Sequence, residues 1–140
     1  MHVEHARVRA VEELVAPLLA AQSGLVTRMQ LLSAGVSVDA IRWRTGRGWR
    51  LVLPGVVATF TGEMTWRHRL VAAQLWAGPA AVLASFTAVR WHDVGDVPQD
   101  GIVRVLVPRP QSPRRHSFVV ARHTTRPDAH PWSRPPLTIC

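Results

Sequence analysis

Apolar residues recur at helical spacing in several short runs, and each run is bounded by residues that cap helices. The first predicted element covers 7–22, where Leu14, Leu18 and Ala21 keep a three-to-four-residue period. Pro17 kinks that helix or starts a second short one, and Ser23–Gly24 ends it. Thr27 reads as an N-cap with Gln30 completing a capping box, and Leu31 and Leu32 form the buried side of a second helix. Ala34–Gly35 closes it. Ser37 caps a third helix, with Asp39 in its first turn, where the helix dipole favours an anion. There Val38, Ile41 and Thr45 share the inner face, Arg42 lies at the boundary, and Ala40, Trp43, Arg44 and Arg47 point elsewhere. Gly46 and Gly48 end that helix.

The run WRLVLPGVVATF then puts β-branched residues on both sides of Pro54–Gly55, a strong turn pair. Three helices followed by a hairpin is the order of a winged helix, with the hairpin as wing. Thr65 caps a fourth helix over 66–77, with Leu70, Ala73 and Trp76 as its inner stripe. A short strand is expected over 80–84, helical turns over 86–92 and a turn-rich loop over 95–101. Residues 102–107 alternate as a strand does, with 117–122 as the expected hairpin partner. The connector PRPQSPRRH is basic and proline-rich. After Arg126, Pro127, Pro131, Pro135 and Pro136 predict an extended, poorly ordered tail. The expected fold class is α+β: a winged helix-turn-helix over 1–62, a small helix-plus-hairpin extension over 63–125 and a Pro-rich tail over 126–140.

A chain of 140 residues that is 47% hydrophobic and 19% charged can fold as one domain or two small ones. Its net charge of +8 favours a polyanionic partner, with nucleic acid ahead of an anionic membrane. All 17 basic residues are arginine. Without lysine the chain cannot build a Walker-type phosphate loop, an acid–acid–lysine nuclease centre, a Schiff base or a serine–lysine dyad. Without tyrosine it cannot use a tyrosine nucleophile. Cys140 is the only cysteine, which excludes an intramolecular disulfide and a cysteine zinc site and makes a reducing cytoplasm the expected compartment. Glu4, Glu12 and Glu13 precede the first apolar run, the wrong charge order for a signal peptide. The uncharged run 70–89 is long enough to span a bilayer, but Gln74, Gly78 and Pro79 inside it favour a helix followed by a strand.

The seven histidines offer no pair at ligand spacing with a third ligand nearby. His68 and His92 read as packed or surface residues, and His2 and His5 lie in a terminus expected to fray. Ser85 lacks a glycine-flanked elbow. The expectation is therefore no enzyme, no metal and no cofactor.

The densest chemistry lies in 27–50. Arg42, Arg44, Arg47 and Arg50 fall within nine residues, interleaved with Trp43 and Trp49. Arg44 and Arg47, with Trp43 beside them, are expected outward for base readout, since a guanidinium can donate two bonds to guanine O6 and N7, worth roughly 1–3 kcal/mol of discrimination. Arg28, Arg42 and Arg50 are expected as phosphate clamps, which set register without reading sequence. Trp49 is expected to pack the wing onto the helices. With Ser37, the candidate DNA-binding set is Arg28, Ser37, Arg42, Trp43, Arg44, Arg47 and Arg50. The competing reading is a solvated basic face with a tryptophan packed in it. Arg114–Arg115–His116, with Arg109, is a second basic patch, open to flanking phosphates or to being a solvated loop.

The run GLVTRMQLLSAGVSVDAIRWRTGRGWRLVLPGVV, followed by TWRHRLVAAQLWAGPAAVLAS, resembles the N-terminal winged-helix domain of AbiEi-type antitoxins of type IV toxin–antitoxin systems, in an actinobacterial form. The likeness covers 21–91. Its most specific elements are Gly24–Leu25–Val26–Thr27–Arg28, Gln30–Leu31, Ala40–Ile41–Arg42, Pro54–Gly55–Val56, Trp66–Arg67 and Trp76–Ala77–Gly78–Pro79. It implies a sequence-specific double-stranded-DNA binder that represses its own operon, with a nucleotidyltransferase-like toxin encoded nearby and not held in a tight complex. A homodimer is compatible with it. Many related chains continue into a domain resembling very-short-patch-repair endonucleases, whereas this one stops near Pro136–Leu137–Thr138, as a truncated relative, a bare regulator or a remnant would. Three positions depart from the pattern: Val57 for an aromatic, Thr45 for a leucine, and Asp39 where neutral or basic residues are usual. Two other readings stand beside it: a protein-interaction module binding through Trp43 and Trp49, or the DNA-recognition half of a truncated endonuclease-like protein.

Overall fold

The structure, a computed structural model, describes residues 2–83, 100–123, 132–134 and 137–139. It divides into two compact units, Met1–Gly62 and Glu63–Cys140. Helices and two sheets make the chain mixed α+β.

The first unit runs α1 (His2–Ala21), β1 (Leu25–Thr27), α2 (Arg28–Ser33), α3 (Val38–Arg44), β2 (Arg50–Leu53) and β3 (Val56–Ala58). Helix α1 starts earlier than its apolar period predicts and contains Pro17 without ending there. The terminus expected to fray is thus helical from His2. The chain reverses at Ser23–Gly24, both at positive φ (57° and 81°), and the Gly24 N–H closes onto Leu19 O at 2.9 Å. Gly24 O accepts from the backbone and hydroxyl of Thr59 at 2.9 and 2.8 Å, tying the start of β1 to the end of β3.

Strand β1 is too short to show a two-residue period and was not predicted. Its pairing with β3 exists only in three dimensions, with Leu25 opposite Ala58 and Thr27 opposite Val56. Thr27 then caps α2 as expected: its hydroxyl accepts from Gln30 N, and Gln30 Oε1 accepts from Thr27 N, both at 3.0 Å. Gln22 and Gln30 join their side-chain amides reciprocally at 2.9 and 3.0 Å, and Gln22 also donates to Leu25 O, so this polar node is satisfied. Leu31 is fully buried, but Leu32 is exposed, because a helix this short packs along one narrow side.

Ser37 caps α3, accepting from Ala40 N at 3.1 Å, with Asp39 in the first turn as expected. The inner stripe differs from the expected one. Ile41 is buried, Val38 is exposed, and Arg44 takes the inner place one turn after Ile41. Thr45 lies outside the helix in extended conformation, and its hydroxyl donates to Ile41 O at 2.7 Å. Strands β2 and β3 meet at Pro54–Gly55 as expected, giving the antiparallel order β1-β3-β2. The Arg28 N–H donates to Gly55 O at 2.8 Å, which ties the hairpin turn to the start of α2. Val15, Val26, Leu31, Val36, Ile41, Trp49 and Val57 form the core.

The second unit has α4 (Trp66–Ala77), β4 (Val82–Leu83), β5 (Val103–Val107), β6 (Arg114–His116), β7 (Val119–His123), β8 (Trp132–Arg134) and β9 (Leu137–Ile139). Thr65 caps α4 as expected, and His68 supplies the return bond, its Nδ1 accepting from Thr65 N at 3.0 Å. Leu70 and Ala73 are buried, whereas Trp76 is only half-buried. Buried Gln74 donates to Gly78 O and Ala81 O, holding the turn from α4 into β4. Asp100 accepts from Arg104 at 2.8 Å and from Ile102 N at 3.1 Å; the guanidinium first, then the amide, hold its carboxyl below its ordinary value.

The sheet order is β6-β7-β5-β4-β9-β8, with α4 against β4, β5 and β9. Two expectations fail here. Strand β7 runs parallel to β5, Val103 opposite Val119 through Val107 opposite His123, instead of forming a hairpin with it. The connector 108–118 is long enough to return the chain to the start of β5, and β6 within it becomes the hairpin partner of β7. The Pro-rich tail supplies β8 and β9, and β9 extends the sheet by pairing parallel with β4 at Leu83–Ile139. Open backbone along β4 offers a partner that composition cannot reveal. The helical turns expected over 86–92, with Ser85, His92 and Asp93, and most of the 95–101 loop lie outside the described residues. No helix among the described residues is long and apolar enough to cross a membrane.

A Cβ on Gly24 would lie 3.0 Å from Phe60 Cδ1 at φ +81°, whereas one on Gly46 would meet nothing within 4 Å at φ +89°. Gly24→Ala is therefore expected to destabilise by roughly 2–3 kcal/mol and Gly46→Ala by about 1 kcal/mol. Urea unfolding should show this order, and equal midpoints would refute the packing assigned to Phe60.

Candidate nucleic-acid interface

Helix α3 turns one side to the core through Ile41 and the other to solvent through Arg42 and Trp43, the indole being 53% exposed. Arg47 is not on the helix. It sits in the turn that follows, between Gly46 and Gly48, whose φ angles of 89° and 99° suit glycine. Three backbone bonds close the turn: Gly46 N to Trp49 O at 2.7 Å, and Arg47 N and Trp49 N to Arg44 O at 2.8 and 3.2 Å. The Arg47 guanidinium lies 5.2 Å from the Trp43 ring centroid and donates to Trp43 O at 2.7 Å. Indole and guanidinium therefore stand on the surface as one stacked pair.

Arg44 does not point outward as expected. It is 9% exposed, and its guanidinium lies 5.2 Å from the ring centroid of Trp49, itself 7% exposed. A flat, weakly hydrated guanidinium can stack on an indole while its stem fills apolar space, which lets a charged residue take an inner position. It holds Trp49 and, through its carbonyl, the Arg47 turn, and its guanidinium faces inward, away from where a base edge could reach it. Trp49 does pack the hairpin onto the helices.

Arg50 also departs from expectation. It is half-buried, donates to Gly62 O, stacks over Phe60 at 5.6 Å, and its Nε is buried without a partner. That makes it a tie across the unit and not an open phosphate clamp. Arg28 and Arg42 are exposed. The exposed Ser37 hydroxyl accepts the Ala40 N–H and keeps its own proton to donate. Of the expected set, Arg42, Trp43 and Arg47 are brought together on one exposed stretch, Arg28 opens α2 beside the hairpin turn, and Arg44 and Arg50 turn inward.

Arg114–Arg115–His116 is strand β6, not a solvated loop. Arg114 lies 4.3 Å from the Trp76 ring centroid and donates to Trp76 O at 3.1 Å. Among the described residues, no three of histidine, cysteine, aspartate or glutamate converge on a metal-sized site. No family model and no curated protein matches the chain.

Trp49 and Trp43 should separate cleanly in stability. Trp49→Ala is expected to cost roughly 3–5 kcal/mol, as for a buried aromatic. Trp43→Ala should cost about 1 kcal/mol or less, the scale of an exposed cation–π pair. Chemical denaturation of both variants checks it, and a large loss for Trp43→Ala would contradict its placement.

Proposed function

We propose that Met1–Gly62 is a winged helix-turn-helix that binds double-stranded DNA with sequence preference, and that the chain is a transcriptional regulator. The observation that carries this reading is the exposed trio Arg42, Trp43 and Arg47 at the end of α3, opposite the buried Ile41. Helix, short strand, helix, helix and hairpin is the order of a winged helix, and α2 and α3 are joined by the short connection that a helix-turn-helix uses. Net charge +8 suits a polyanion.

In this reading Arg47 reads a base edge. One of its N–H groups is engaged by Trp43 O, and the others remain for guanine O6 and N7. The stack on Trp43 limits the rotamers that binding must freeze. Arg42 and Arg28 contact phosphates, and the Pro54–Gly55 turn, bonded to the Arg28 amide, faces the same backbone. The likeness to AbiEi-type antitoxins adds the proposal that the target is the chain's own operon, beside a gene for a nucleotidyltransferase-like toxin. No catalytic step is assigned.

A second reading, a protein-interaction module, draws on the exposed Trp43, on Met29 at 72% and on Leu51 at 62% exposure. Anisotropy titrations on genomic fragments at two salt concentrations separate the two. Arg47→Ala should lower preference at one base pair by about 5- to 150-fold, the equivalent of roughly 1–3 kcal/mol. Arg42→Ala and Arg28→Ala should weaken all sequences alike, each reducing the salt slope by about 0.9. Weak wild-type binding with no preferred sequence would favour the interaction module, and unchanged preference in Arg47→Ala would sink the base-reading role.

A further inference from the structure

The positive charge is not concentrated in the unit that carries the helix pair. Met1–Gly62 holds seven arginines against four acids, and Glu63–Cys140 holds ten against five. The sheet register gathers part of the second excess. Val120 on β7 lies opposite Arg115 on β6 and opposite Arg104 on β5. Arg122, two residues further along β7, shares their face. The alternate residues Val103, Val105, Val107, Val119 and Ala121 are buried on the other face. Arg104, Arg115 and Arg122 therefore surround Val120 on one sheet face, with Arg122 a diagonal neighbour of the other two at about 7–8 Å between Cα atoms.

Arg115 and Arg122 are exposed and make no ion pair among the described residues. Arg104 is half-exposed and holds Asp100 at 2.8 Å. Like charges at this spacing on a rigid sheet repel, and an anion that bridges them removes the repulsion. The rings of Trp76 and Phe118 already carry Arg114 and Arg69, and Arg114, opposite Ala121, belongs to the other face of the sheet, so these rings are not platforms for stacking bases beside Arg104, Arg115 and Arg122. A polyanion read without its bases is what such a surface fits. Arginines whose Cα atoms stand about 7–8 Å apart in a fixed strand register suit the regular repeat of a nucleic-acid backbone better than the irregular carboxylates of an acidic protein.

We propose that the Arg104–Arg115–Arg122 face of the second unit binds the phosphate backbone of duplex DNA without sequence preference, as a polyanion surface distinct from α3. It shares with the winged-helix reading only the chemistry of the partner. The test uses the full chain and short duplexes of several sequences, titrated by fluorescence anisotropy across a salt series. Arg115→Gln/Arg122→Gln should lower the slope of log Kobs against log salt by about 1.8, equally for every duplex, because two phosphate contacts are lost. Arg115→Lys/Arg122→Lys should restore the slope, which controls for folding, since a point charge suffices for a phosphate. An unchanged slope in the glutamine variant overturns the proposal, as does a loss that lysine fails to restore. So does binding of the wild type to polyglutamate in place of DNA. If Arg42→Ala/Arg47→Ala leaves affinity and preference intact while the glutamine variant loses slope, the α3 reading falls and this one stands; the converse pattern removes this one alone.

Discussion

The buried indole of Trp49 is the constraint on which Met1–Gly62 depends. It lies where α3 gives way to β2 and joins Ile41, Leu31 and Val57 in the core. It also serves as the flat surface on which Arg44 rests. Because Arg44 O accepts from both Arg47 N and Trp49 N, the anchor that buries Trp49 also presents Arg47 to solvent. The residues proposed to meet DNA are therefore positioned by one that would not touch it.

The Glu63–Cys140 unit is organised on a different principle. Its interior comes from α4 packed on β4, β5 and β9 and from the alternate buried residues Val103, Val105 and Val107 of β5 and Val119 and Ala121 of β7, each strand burying one face. The same alternation leaves the other side chains on the opposite face. There the parallel β5–β7 pairing and the β6–β7 hairpin set arginines from three strands side by side. Burial of valine and clustering of arginine are two results of one register.

Features that rest on near neighbours were legible without a fold. Thr27, Ser37 and Thr65 each cap a helix through a bond to an amide three residues on, so the local pattern carries the information. Pro54–Gly55 made a turn because proline fixes its own φ and glycine, at φ 74°, takes the left-handed conformation without steric cost. The alternation of Val103–Val107 was visible because one face is buried and the other is not. At the candidate site, the outward placement of Trp43 and Arg47 followed from charge and spacing. Arg44 was misplaced because helical periodicity gives relative angles, not which angle faces the core, and the indole that accepts a cation lies beyond the helix.

The sequence by itself therefore determined the N-caps of α2, α3 and α4, the hairpin turn, the basic character and the exclusion of the chemistries that lysine and tyrosine would have supplied. Each follows from covalent identity or from contacts a few residues apart. Tertiary structure alone decided that Leu25–Thr27 pairs with β3, that β7 runs parallel to β5, and that the proline-rich tail adds two strands. It also turned Arg44 and Arg50 inward and brought Arg115 beside Arg122. Those outcomes depend on backbone donors and acceptors, rings and apolar faces supplied by distant segments, and short-range patterning carries no record of which segments will meet.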